Sequence, residues 1–291
     1  MTKAAHFIFL AFLSRRLSGV TLLDYGLIVD SRRDSWAGLL ASRRDPVDAP
    51  LINFAVRQGT KGGSGAFLAA DETDSKWWVK PLNNLQGERV VITEAIVGLV
   101  GKLIGAPVCD TAIVRISDDL AGWEFRPGAT VVPGYAHASS EVSGVVEERS
   151  LLFRERDSNS KRHVGVIALY DWCWGGDDQW LYSGPSDQEL FSHDHGYFLP
   201  DTGPTWSIAT LERNIDVPHV KVCPLDGLDQ QEFARVAESL RTLPQSRLIE
   251  SLSLIPESWP VSDEELEAVG WFLQRRAPAV SARLEDLGSK L

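Results

Sequence analysis

From Leu51 onward the chain falls into short apolar runs separated by turn formers. Leu51-Ile52-Asn53-Phe54-Ala55-Val56 reads as a strand, Gly59 to Gly65 as a glycine-rich turn and Ala66 to Ala70 as a second strand. After a turn over Asp71 to Lys76, Trp77-Trp78-Val79-Lys80-Pro81 forms a third. Apolar Ile96, Leu99, Val100 and Leu103 then recur at helical spacing, which predicts a helix over Thr93 to Ile104, capped by Thr93 and followed by Gly105. Ala112 to Ile116 is a further strand. The turn formers between 118 and 160 predict a connection between two parts of the molecule.

Beyond that connection the period changes. Val164 to Trp174 predicts a buried helix, Gly175 to Asp187 a loop, and Leu190 to Leu199 a short strand or hairpin. Three helices follow over Asp229 to Leu243, Gln245 to Leu254 and Ser262 to Leu287, the last opened by a Ser262/Glu265 capping box. The order predicts an α+β chain with two lobes, β-rich first and helical second. The boundaries are an N-terminal extension over 1–50, an N-lobe over 51–125 and a C-lobe over 126–291.

Composition narrows the classes of function. At 291 residues the chain can bury a sizeable core, and ten tryptophans predict many core or cleft walls. A net charge of -11 without a basic run argues against direct nucleic-acid binding and against a membrane surface. Cys109, Cys173 and Cys223 fit neither a disulfide framework nor a metal knuckle and predict a reducing, cytoplasmic setting. The apolar run Ala4 to Leu13 is too short to span a bilayer and lacks the flanks of a signal peptide; it reads as an amphipathic helix or an overextended start.

Candidate chemistry follows the same order. The glycine loop, with Gly62, Gly63 and Ser64 at its tip, brings backbone amides within reach of phosphate oxygens, although an ordinary hairpin turn has the same composition. Lys80 ends an apolar strand and points toward a cleft, and Glu94 is placed in the first turn of the next helix to pair with it. The alternative is a surface lysine with a helix-start glutamate. Asp177, Asp178 and Gln179 stand among glycines and tryptophans, poor company for a solvated charge run. Asp194 precedes His195-Gly196 at a strand end, where a metal-binding acid fits.

These pieces resemble the HipA-like kinase family over about residues 50 to 285. Trp78-Val79-Lys80-Pro81, Thr93-Glu94-Ala95 and Ile104-Gly105-Ala106-Pro107-Val108 match its lysine strand, its helix opening with Glu and the turn that follows. Gly176-Asp177-Asp178-Gln179-Trp180-Leu181 stands in the place of the catalytic stretch and His193-Asp194-His195-Gly196 in that of the metal motif. Ile255 to Trp259 and Trp271 to Arg276 are similar to its closing helices. The resemblance implies a kinase-like fold and transfer from ATP with Mg²⁺ to a protein Ser or Thr hydroxyl. It implies that Lys80 and Glu94 fix ATP, that Asp177 or Asp178 is the catalytic acid (with a slight preference for Asp177), that Asp194 with Gln179 holds the metal, and that an antitoxin-like partner exists. Two departures stand out: the catalytic stretch is shortened, with no Arg after the acid, and Gln179 replaces the metal-binding Asn. They leave room for a pseudokinase that binds nucleotide without transfer. A third class, a metal-dependent hydrolase, would gather His137, His163, His193 and His195 with the same aspartates.

Overall fold

The structure is a computed structural model that describes residues 32–59, 65–200 and 206–291. The N-terminal apolar run lies outside them, as do Gly62, Gly63 and Ser64.

The first half builds a closed five-stranded sheet. Its strands are β1 (Leu51–Gln58), β2 (Phe67–Asp71), β3 (Lys76–Pro81), β4 (Thr111–Ile116) and, two short strands later, β7 (Gly134–Ser140). The order is β1-β2-β3-β7-β4, closed by a short parallel pairing of Leu51 and Ile52 with Arg115 and Ile116. In sequence the glycine-rich stretch lies between β1 and β2, which pair antiparallel as far as Gln58 and Phe67. Inside the barrel Ile52, Phe67, Val79, Val114, Ala136 and Ala138 form a core of their own, roofed by Phe125 of β5 (Glu124–Arg126), which pairs with β6 (Ala129–Thr130).

β7 falls inside the stretch whose turn formers predict a connection, yet it pairs with both β3 and β4 along most of its length. The reason is size. Its inward residues are Ala136 and Ala138, so the alternation carries no large apolar signal, although both are fully buried.

α1 (Glu88–Leu103) starts five residues before the expected Thr93. Val90-Val91-Ile92 is a β-branched run with weak helix propensity, but all three are fully buried, and packing overrides propensity. Thr93 is therefore no cap. Its hydroxyl donates to the Arg89 carbonyl and accepts from the Trp206 indole at 2.8 Å. Glu94 correspondingly lies in the second turn rather than the first.

The second half is built around α2 (Asn159–Cys173), α3 (Ile208–Arg213), α4 (Gln230–Arg241), α5 (Gln245–Leu252) and α6 (Asp263–Gly288). The Ser262/Glu265 capping box is present at the start of α6. A small sheet of order β10-β9-β8 leans on α2, with β8 at Val145–Glu148, β9 at Trp180–Ser183 and β10 at Glu189–Ser192. β9 lies within the expected loop 175–187, because Trp180 and Tyr182 are buried against α2 while glycines and aspartates hide the pattern around them. α1 shares this second core rather than that of the barrel.

Residues ahead of β1 also join the helical part. Trp36 is fully buried, and its indole donates to Gln274 of α6 at 2.7 Å. Arg43, 4% exposed, donates to the carbonyls of Pro256 and Val261 and pairs with Asp263 at 2.9 Å. Among the described residues no helix is long and apolar enough to cross a membrane.

Candidate active site

The barrel, α1 and the end of β10 meet at Lys80. Its ammonium is buried and lies 2.5 Å from Glu94 Oε2 and 2.5 Å from Asp194 Oδ1. Burial disfavours the ammonium, but the two carboxylates outweigh it and hold the Lys80 pKa above its ordinary value. Glu94 is pushed up to about 7 by burial, against the pull of Lys80 and with the added repulsion of Asp194. Burial also opposes charge on Asp194, yet Lys80 holds that carboxyl below the usual range. Of two acids on one ammonium, the more exposed Asp194 keeps its charge and the deeper Glu94 more readily carries a proton.

Backbone geometry delivers Asp194 to this point. Ser192 donates to the Pro107 carbonyl at 2.6 Å and accepts from Cys109 N at 3.2 Å, so the turn after α1 grips the end of β10. Asp194 itself has φ 55°, a left-handed conformation that Asp tolerates better than most residues. Gly196 then packs on α1 so closely that a Cβ there would lie 2.3 Å from Val90 Cγ1.

Asp177, Asp178 and Gln179 form a second group on the loop after α2. Trp174 ends the helix at φ 59°, and Gly175 N bonds back to the Tyr170 carbonyl at 2.9 Å. Asp177 uses both oxygens within the loop: Oδ1 accepts Asp178 N at 2.9 Å and Oδ2 accepts Gln179 Nε2 at 2.5 Å. Asp178 instead faces outward, its side chain 44% exposed, and pairs with the Lys221 ammonium.

The backbones of the two loops that carry these groups abut. A Cβ on Gly176 would sit 2.0 Å from the Tyr197 carbonyl oxygen, and Leu199 N donates to the Cys173 carbonyl at 2.9 Å. Burial pushes His193 down to about 4, and the charges of Asp194, Lys80 and Asp177 all reach its ring.

Lys221 was not singled out in the sequence, and neither was His219. His219 stacks on Trp174 with ring centroids 4.5 Å apart, its Nε2 lies 2.7 Å from the Gly175 carbonyl oxygen, and its backbone N–H reaches Asp171. Asp171 is buried and paired with Arg276 and Arg283, which anchors the loop's root to α6. The only signal for residues 217–221 is an irregular stretch with Pro218 and polar residues, and loops of that kind often carry function.

The histidine set expected for a hydrolase does not assemble. His163 takes an Arg154 N–H at Nδ1, and His195 bonds Ser192 Oγ at 2.8 Å. His137 faces Glu94 at 3.9 Å, too long for a hydrogen bond. Among the described residues no group of three or more His, Cys, Asp or Glu side chains is arranged to hold a metal ion.

A barrel lobe carrying a lysine strand, a helix supplying its glutamate, and a helical lobe carrying two acidic loops define a two-lobed, protein-kinase-like α+β fold. Comparison with one solved structure gives the same class. The Helicobacter pylori proinflammatory kinase CtkA aligns with a TM-score of 0.54 over 82% of this chain and 98% of that one, at 9% identity. A Golgi casein kinase structure with Mn/ADP bound aligns over 88% of this chain and 77% of its own, with a TM-score of 0.45 and 12% identity. No protein-family model matches the chain, and no curated protein sequence does.

Proposed function

We propose that the chain is an ATP-dependent phosphotransferase whose acceptor is a protein Ser or Thr hydroxyl. The observation that carries this reading is the buried Lys80 ammonium, 2.5 Å from both a helix glutamate and a loop aspartate. Its kinase class rests on the fold, and its HipA type on the order of the sequence motifs.

Phosphoryl transfer is mainly positioning and charge stabilisation. Lys80, held by Glu94, is suited to turn from Asp194 to the α- and β-phosphates. Asp194 and the amide oxygen of Gln179 are hard donors that suit Mg²⁺, and Gln179 has its nitrogen committed to Asp177, which leaves that oxygen for the metal. Mg²⁺ held by Asp194 and Gln179 would supply charge that neutralises the phosphates. The exposure of Asp178 favours it over Asp177 as the acid that orients the acceptor, because both Asp177 oxygens already serve the loop. Asp178 takes the hydroxyl proton as the acceptor oxygen bonds Pγ. The bond from Pγ to the bridging oxygen breaks, and its electron pair leaves on ADP.

Thermal shift with ATP, with and without Mg²⁺, tests the reading on wild type, Lys80→Ala and Asp194→Asn. Mg²⁺-dependent stabilisation of the wild type, weakened in both variants, is the expected result. Stabilisation by Zn²⁺ or Mn²⁺ alone, without any ATP effect, would overturn it. Nucleotide binding without transfer is the second reading, motivated by Gln179 in the metal-binding Asn position; Mg-ATP binding with no ³²P transfer would favour it.

A further inference from the structure

Lys221 reaches the loop from a segment 43 residues beyond Asp178 in the chain. Its ammonium pairs with the Asp178 carboxylate and lies 5.1 Å from the Tyr170 ring centroid and 5.0 Å from that of Trp180. The side chain is 17% exposed, although Val222 beside it is 92% exposed, so the chain turns this amine inward while its neighbour stays in water. Withdrawing an ammonium from water is costly unless charge or aromatic faces replace the lost hydration, and here both do. Two aromatic faces and one half-exposed acid leave the ammonium with donor capacity in hand, since a lysine has three N–H groups.

We propose that Lys221 is a further catalytic residue, a cation that contacts the transferred phosphoryl group. The proposal rests on the phosphotransferase reading, with Asp178 as the acid that orients the acceptor. An acceptor hydroxyl bonded to Asp178 has its oxygen about 2.7 Å from the carboxylate, and the phosphorus it attacks about 3–3.5 Å further on. An ammonium hydrogen-bonded to the same carboxylate can therefore reach a γ-phosphoryl oxygen by a small rotation of its flexible stem. Charge placed there stabilises the transfer more than the ground state, because negative charge shifts onto the oxygens around phosphorus as the bonds exchange. In the resting site Asp178 occupies the ammonium. During transfer Asp178 accepts the hydroxyl proton, becomes neutral, and leaves Lys221 to the phosphoryl oxygens.

The test needs no acceptor. Calorimetry compares the affinity of wild type, Lys221→Met and Lys221→Arg for ADP with Mg²⁺, and for ADP with Mg²⁺ and fluoroaluminate, which mimics the group in flight. Wild type is expected to bind the fluoroaluminate complex more tightly than ADP with Mg²⁺ alone. Lys221→Met should lose about tenfold or more of that increment, with ADP–Mg²⁺ affinity within about twofold of wild type, and Lys221→Arg should keep most of it. A Met variant that retains the increment, or that loses ADP–Mg²⁺ affinity by the same factor, overturns the proposal and leaves Lys221 as a brace for Asp178. Wild type that fails to bind ADP with Mg²⁺ overturns the phosphotransferase reading itself. Wild type that binds ADP–Mg²⁺ with no added affinity for fluoroaluminate overturns the role of Lys221 alone.

Discussion

One ammonium, that of Lys80, ties three segments of the chain together, since it pairs with Glu94 of α1 and with Asp194 beyond β10. A lysine at the end of an apolar strand is visible in the sequence, and so is a glutamate on the following helix. That Asp194 completes the group depends on a left-handed residue gripped by the Pro107 turn, which no local pattern records. Lys221 was hidden more deeply, since its partner lies on another segment and nothing periodic surrounds it. Buried histidines give this scale a test away from the cleft. His163 is fully buried on α2, and burial together with the charge of Arg154 pushes it down to about 4. Between pH 6.5 and 4 the unfolded chain binds a proton there that the folded chain refuses, so stability falls as pH falls through this window. At the low end one such group is worth on the order of 3 kcal/mol. His163→Gln should flatten the slope of the urea midpoint between pH 6.5 and 4, whereas an unchanged slope would assign it to the other histidines.

At the scale of elements, large alternating residues and the Ser262/Glu265 capping box gave reliable signals, whereas Thr93 lies inside its helix and caps nothing. β1, β2, β3 and β4 are found close to where their apolar runs predict them, and α6 starts at its capping box. The errors have physical causes: a strand of alanines and serines looks like a turn, and a β-branched run looks unlike a helix until packing is counted. α1 deserves a mutational check because it carries Glu94 and is fixed from outside. Arg89 pairs with Glu265 of α6 and stacks over Trp206 at 4.8 Å, while the Trp206 indole donates to Thr93. Thr93→Val keeps the shape and removes the acceptor, which leaves a buried N–H unpaired. The expected cost is about 1–3 kcal/mol in the urea midpoint, together with weaker Mg-ATP binding as α1 loosens. Unchanged stability would show that the indole N–H finds another acceptor.

Across the whole molecule, the division into a β-rich part and a helical part was readable from the change in hydrophobic period. The way the two are joined was not. Residues 32–43 gave no regular pattern, yet Trp36 and Arg43 are sunk into the helical core. Arg43→Met would leave the Pro256 and Val261 carbonyls without their donor and Asp263 without its partner. We expect a loss of about 3 kcal/mol in the urea midpoint, while Mg-ATP still gives a thermal shift, since Arg43 touches no residue of the cleft. A midpoint equal to wild type would mean that the carbonyls are satisfied by water.

The separate packing of α1 has a mechanical consequence. The chain passes between the barrel core and the helical core at 44–50, at 82–87, at 104–110 and again beyond 140. A rigid body tied at that many places cannot swing like a lid on one strap; it can only rock slightly about its moorings. Because Glu94 and Asp194 belong to one body and Lys80 to the other, any such rocking stretches both ion pairs at once. The lysine thus serves as a clasp whose state reports how far the jaws stand apart.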